Sequence, residues 1–255
     1  MGILNVTPDS FYDGGRFKSA DNALKQVEKM LSEGASFIDI GAYSSRPGAD
    51  HVSEEEEQQR LLQVLDPILK TFPEVLISID TFRSKIAKTA IEAGASMIND
   101  ISAGQLDDDM LQTIGELKVP YIMMHMRGTP QTMQQQTDYK DLLFEINSYF
   151  AERIRLANSY QIHDIIIDPG FGFAKTLEQN YELLSKLDLL NSIKRPILAG
   201  VSRKSMIYKL LDITQDQALN GTTSLNTIAL LKGAKILRVH DVKAAFECIT
   251  LTQQL

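Results

Sequence analysis

A single cysteine in 255 residues, Cys248, excludes an internal disulfide and suits a reducing cytosol, where its expected place is the packing of the last helix. Long apolar runs are absent too: none reaches the roughly 18 residues of a membrane-crossing helix, and the amino terminus has no basic region followed by an apolar segment. Neither membrane spanning nor export is therefore supported. Basic residues are outnumbered, 26 against 33 acidic, and the net charge of −7 is carried with both signs interspersed. That disfavours a nucleic-acid groove or an anionic membrane surface as partner, and any bound anion would need a local basic cluster. No linker-like stretch divides the chain. The expectation is a cytoplasmic protein with one domain over residues 1–255.

What the chain does have is 44% hydrophobic residues, enough for one large α/β core, parcelled into short runs that each end in a polar residue and a turn. The clearest is Ile165-Ile166-Ile167, too short for a helix, followed by Asp168-Pro169-Gly170-Phe171-Gly172-Phe173. It reads as a strand buried on both faces with a carboxylate at its carboxyl end. Pro169 and Gly170 stop the strand, and Phe171 and Phe173 are placed to wall something bound. The same form recurs at 2–6 with Asn5, 37–41 with Asp39, 75–79 with Asp80, and 95–98 with Asn99 and Asp100. It returns at 119–124 with His125, 196–201 with Ser202 to Ser205, and 235–240 with Arg238 and His240. Beginning inside a strand suggests that a short segment precedes residue 1.

Helical spacing fills the intervals: 20–33 stopped by Gly34, a helix after Ser53 and Glu56 in capping-box register, one from Ile86 towards Gly94, 110–117 and 141–158. Further helices are predicted after Thr176, from Ser202 through Met206 to Leu211, at 217–231 and at 242–251. Eight strands alternating with helices predict a single-domain α/β fold, a (β/α)8 TIM barrel. An open doubly wound sheet is the runner-up, weakened because no fingerprint of three spaced glycines follows the first strand.

In a barrel, polar residues at the carboxyl ends of different strands converge on one mouth, here Asn5, Asp39, Asp80, Asn99, Asp168, Lys204, Arg238 and His240. Asp80, Asn99, Asp168 and Lys204 would lie deep there and offer acceptors beside donors, a pattern suited to a flat heterocycle with an amidine-like edge. Asn5, Ser44, Ser45, Arg46, Arg238 and His240 come from strands that are neighbours once the barrel closes, and they suit a multiply charged anion such as a pyrophosphate. A magnesium ion fits beside it, since it keeps most of its waters and takes few protein oxygens; Asn5 can supply one. Ser202 to Ser205, opening a helix, read as a separate anion site. Taken alone, Asp39 and Asp100 read as turn caps, and His125 and His163 as ordinary polar residues.

Gly2 to Phe11 with Asp13-Gly14-Gly15, Ser44 to Ala49, Asn99-Asp100-Ile101, Asp168 to Phe173, Ser202 to Ser205 and Arg238 to Asp241 together resemble dihydropteroate synthase, in order and over the whole chain. Ala42-Tyr43 stand where that family commonly has Gly-Glu, and Ser45 replaces a threonine. The resemblance implies a homodimeric (β/α)8 transferase that joins 4-aminobenzoate to a dihydropterin methyl pyrophosphate in folate synthesis, a sulfonamide target. It implies that Asp80, Asn99, Asp168, Lys204 and Arg238 hold the pterin, and that Asn5, Ser45, Arg46, Arg238 and His240 hold the pyrophosphate with magnesium at Asn5. It also implies that Phe11, Phe173, Lys204 and Ser205 border the aminobenzoate, with Asp13, Arg46, Lys204, Arg238 and His240 serving catalysis. Residues 7–15 and 44–49 would be loops that close over the site. Two rivals remain: a non-catalytic pterin-binding module of a methyltransferase system, and a Schiff-base chemistry at Lys204.

Overall fold

The computed structural model describes residues 1–6, 16–43 and 52–255, without the side chains of 16–19. Eight parallel strands form one sheet in chain order: β1 (Gly2–Asn5), β2 (Phe37–Gly41), β3 (Leu76–Asp80), β4 (Met97–Asp100), β5 (Tyr121–Met124), β6 (Ile165–Asp168), β7 (Ile197–Ala199) and β8 (Ala234–Leu237). A parallel bridge between Gly2 and Val239 closes the sheet, with Ile3 N–H donating to the Val239 carbonyl at 3.0 Å and Val239 N–H to that of Met1 at 2.9 Å. The expected (β/α)8 barrel is therefore the fold.

The helices are α1 (Arg16–Ser32), α2 (Glu54–Thr71), α3 (Ser84–Glu92), α4 (Met110–Leu117), α5 (Leu142–Ser159), α6 (Leu177–Ser185), α7 (Ser205–Tyr208), α8 (Leu219–Leu231) and α9 (Val242–Thr252). Their starts follow side-chain capping where the sequence provides it. Asp141 accepts from Phe144 N–H, and Thr176 forms a full capping box with Gln179. Ser53 accepts from Glu56 N–H at 3.1 Å, but Glu56 turns forward to Arg60 instead of back to Ser53, so only half of the expected box forms. The helix predicted from Ser202 to Leu211 shrinks to the four residues of α7, because Arg203 takes a left-handed conformation (φ 54°) that a helix cannot include.

Strand alternation sorts each run into two faces. Ile38, Ile40, Ile77, Ile79, Ile98, Ile165 and Ile167 face outward and pack with Val27, Leu61, Leu65 and Ile86 of the helices. Met97, Ile122 and Leu198, with Phe37, Ile166 and Ile236, fill the barrel interior. On that parity Asn5, Asp39, Asp80, Asn99, Asp168 and Arg238 all belong to the inner face, stacked above the apolar plug. Cys248 is buried in α9 as expected.

Candidate active site

The inner face of β2, β3, β4 and β8 is joined by one guanidinium. Arg238 donates from Nε to Asp39 at 2.6 Å and from Nη2 to Asp80 at 2.7 Å, and Asn99 Nδ2 donates to the same Asp39 oxygen at 3.1 Å. Asn5 lies at this level, paired in register with Gly41, which in turn pairs with Asp80. A Cβ on Gly41 would stand 3.6 Å from Asp80 Oδ2 and 3.7 Å from Asn5 Oδ1. Burial lifts the Asp80 carboxyl to about 7; Arg238 pulls the other way and the Asp39 carboxylate adds to the lift. Burial alone would lower Arg238, yet the two carboxylates outweigh it and raise its pKa further. The guanidinium is a permanent charge.

The other side of the mouth is built on the turn after β6. Asp168 accepts Gly170 N–H at Oδ1, 2.7 Å, and burial raises its carboxyl against the pull of Lys204. Lys204 donates to the carbonyl of Phe171, and its ammonium lies 4.9 Å from the centre of the Phe173 ring. Burial brings Lys204 down to about 8, with Asp168 opposing. The two sides meet at Gly200, just past β7. A Cβ there would stand 3.8 Å from Lys204 Nζ, 3.9 Å from Asp168 Oδ2 and 3.9 Å from Arg238 Cβ, so these three side chains look onto one small space that the glycine leaves open.

The structure thus brings together Asn5, Asp80, Asn99, Asp168, Lys204 and Arg238, with Phe173 at their edge and Ser205 heading α7 next to Lys204. His240 sits beside them in sequence with Arg238, its Nδ1 3.0 Å from Ser202 Oγ; that hydroxyl also accepts the His240 backbone N–H at 3.2 Å. Phe11, Asp13, Ser44, Ser45 and Arg46 lie outside the described residues. Among the described residues no group of three or more His, Cys, Asp or Glu side chains could hold a metal ion, and no helix is long and apolar enough to cross a membrane.

In the segment Ser202 to Ser205, read as a separate anion site, two side chains are already engaged. Ser202 is engaged by His240, Arg203 is locked to Asp241 by two hydrogen bonds of 2.9 and 2.6 Å, and α7 is a single turn. Asp100 does cap a turn: it accepts from Ser102 N–H and Oγ at 2.7 Å each, from Gly104 N–H at 2.6 Å and from Tyr121 Oη at 2.5 Å. Asp39 does not. It is fully buried in mid-strand and holds Arg238 in place, a role signalled only by a charge at an inward position of an apolar strand. Phe171 is core, fully buried.

Sequence periodicity gave no sign of Lys175. Only 4% exposed, it donates to the carbonyls of Gly170 and Phe173 and meets His125 Nδ1, each at 3.0 Å. Burial lowers Lys175 to about 7, with Asp168 opposing and Lys204 and Arg127 adding to the fall. Burial, then Lys175 and Arg127, holds His125 well below its ordinary value, so its ring is neutral.

A closed parallel barrel that gathers carboxylates, amides and buried cations at one mouth has a class, and the chain belongs to it: the pterin binding enzymes, whose family model matches residues 1–240. Within that class the likeness is narrower. A dihydropteroate synthase of Synechocystis is 46% identical over 247 residues, 96% of this chain and 85% of that protein. The Yersinia pestis dihydropteroate synthase, solved with a sulfonamide drug complex, superposes with a TM-score of 0.93 at 41% identity, covering 100% of this chain and 92% of that one. The Xanthomonas albilineans dihydropteroate synthase with 4-aminobenzoic acid gives 0.92 at 37%, covering 100% and 91%. The chain is a member of the dihydropteroate synthase family, as its motifs implied.

Proposed function

We propose that this enzyme condenses 6-hydroxymethyl-7,8-dihydropterin pyrophosphate with 4-aminobenzoate, giving 7,8-dihydropteroate and pyrophosphate in folate synthesis. The observation that carries the reading is the meeting of Asp168, Lys204 and Arg238 on the space beside Gly200, with Asp80 joined to them through Arg238 and Asn99 through Asp39. Asp168 and Asp80 supply acceptors for the N–H groups of an aminopyrimidine edge, Lys204 and Asn99 donors for ring oxygen and nitrogen, and Arg238 flanks the ring. A non-catalytic pterin carrier would need no place for a leaving group, and Arg46 and Arg238 with His240 supply one.

The reaction is a substitution at the exocyclic methylene. The C–O bond breaks with its electron pair leaving on pyrophosphate, the arylamine nitrogen forms the new C–N bond, and its surplus proton passes to solvent. Arg46, Arg238 and His240, with Asn5 and Ser45, hold the charge that develops on the departing group. Asp13 stabilises the positive charge left on the pterin. Phe11, Phe173, Lys204 and Ser205 border the aminobenzoate, whose arylamine nitrogen is neutral and nucleophilic near pH 7 and needs no strong base. A single amide oxygen at Asn5 fits magnesium, an ion that keeps most of its own waters. Bound there, it supplies further neutralisation of the pyrophosphate charge.

The protein acts as a cytoplasmic homodimer in this reading. Support comes from large apolar side chains left exposed on consecutive elements, Leu210 and Leu211 after α7, Ile228 and Leu231 on α8, and Phe246 on α9. The test is pyrophosphate release. It should require both 4-aminobenzoate and magnesium; a protein that binds the pterin yet releases no pyrophosphate when aminobenzoate is added is a carrier, not a synthase.

A further inference from the structure

We propose that Lys175 is a positioning residue of this reaction: its buried ammonium, seated on the carbonyls of Gly170 and Phe173 and on the imidazole of His125, holds the turn that presents Phe173 to the mouth and whose Phe171 carbonyl fixes Lys204. The proposal rests on the pterin and aminobenzoate site described above.

The turn cannot hold itself. Gly170, Gly172 and Ala174 all have positive φ, 71°, 81° and 48°, so three of its backbone units sit in a region that an L-residue such as Ala174 enters only under constraint. It is also pressed from behind, since a Cβ on Gly170 would stand 2.2 Å from the His125 carbonyl oxygen. Its N–H groups are satisfied locally: Gly170 donates to Asp168, Phe173 to the Gly170 carbonyl at 3.1 Å, and Gly172 to Asn180 Oδ1 at 2.6 Å. Its carbonyls face two ammonium groups, Gly170 and Phe173 facing Lys175 and Phe171 facing Lys204. Of the other two, Gly172's accepts from Gln134 Nε2 at 3.4 Å and Ala174's from Tyr139 Oη at 2.9 Å.

Lys175 is saturated. An ammonium has three protons, and three acceptors surround this one, the third being the Nδ1 lone pair of a neutral His125. As an ammonium it has no donor left for a substrate, which separates it from Lys204. The charged groups that face it are Asp168 from β6, Lys204 from the segment after β7, and Arg127 from the segment after β5. Deleting Lys175 strips the Phe173 carbonyl of its donor, leaves that of Gly170 only the Phe173 N–H, and frees the turn to relax, and with it the Phe171 oxygen that fixes Lys204 and the ring of Phe173.

The test is a double-mutant cycle in the full chain, read by the affinity for pteroic acid, the KM for each substrate and kcat. Lys175→Met keeps the stem and removes the charge; it is expected to weaken pteroic acid about 10-fold or more. In a Lys204→Met background the same change is expected to cost less than about 3-fold, because the group it positions has gone. Unchanged affinity in Lys175→Met, or losses that multiply independently, overturns the proposal. Should Lys175→Met fail to fold, the third acceptor is tested instead. His125→Asn places an amide oxygen near Nδ1 and should stay within about 3-fold of the parent, while His125→Leu should fall below it by about 10-fold. Equal behaviour of the two overturns the proposal. A parent protein that neither binds pteroic acid nor turns over would sink the functional reading itself; a normal parent with an unaffected Lys175→Met sinks only the positioning role.

Discussion

The two sides of the mouth neutralise their charges in opposite ways. Across β2, β3 and β8 one guanidinium serves two carboxylates, side chain to side chain, so the cation is fixed and the surplus falls on an acid, Asp80, lifted to about 7. Around the turn after β6, two ammonium groups rest mainly on backbone carbonyls, which carry only partial charge. There it is the cations that give way, Lys204 falling to about 8 and Lys175 to about 7. The difference teaches that burial, the leading cause on both sides, works against acids and cations alike, Asp168 rising beside the two lysines that fall, so such a site is most fully charged only within a narrow interval of pH.

The comparison can be broken most severely at Arg238. Arg238→Met leaves Asp39 and Asp80 facing each other without a cation in a buried setting, and should lower unfolding free energy by about 3–5 kcal/mol, read from denaturant midpoints at pH 7.5. Lys204→Met, on the carbonyl-held side, should cost far less stability. If the two variants unfold alike, the contrast between the sides is wrong.

It can be sharpened by pH. A pterin that donates to Asp80 binds its ionised form, so affinity should rise as pH climbs towards about 7 and the proton leaves; a pterin that accepts from Lys204 needs the ammonium, so affinity should fall as pH passes about 8. The expected profile is a bell centred between the two, measured calorimetrically with pteroic acid. Asp80→Asn should abolish the acid limb and leave the alkaline one. An acid limb that survives in Asp80→Asn would assign it elsewhere.

The smallest effect is expected at Thr176, which caps α6 one residue beyond Lys175. Thr176→Ala removes one partner of the capping box and should cost about 1 kcal/mol, a fall of roughly 2–4 °C in Tm, with the pteroic acid affinity unchanged. A large loss of affinity would mean that the turn depends on the helix start as much as on the buried ammonium.

How much of this was legible depends on the distance over which each interaction acts. A polar residue ending an apolar run is a local signal, and it placed Asn5, Asp80, Asn99, Asp168 and Arg238 on one rim once the strands had been counted. Asp39 belongs to the same rim, but its tie to Arg238 was not legible, because that partner is 199 residues away and only barrel closure brings it near. Lys175 was illegible for a different reason: its acceptors are backbone carbonyls, and carbonyls have no identity in a sequence. The missing half of the capping box at Ser53 reflects a nearer competitor, Arg60, one helical turn ahead of Glu56.

Closure of the sheet through Val239 and Gly2 has a temporal corollary. The last strand of the chain carries the arginine that the second and third strands await, so during synthesis Asp39 and Asp80 emerge long before the cation that offsets them. A barrel lacking only its final strand would carry both an open edge and an unbalanced pair of acids, and the step that seals the wall is also the one that arms the site.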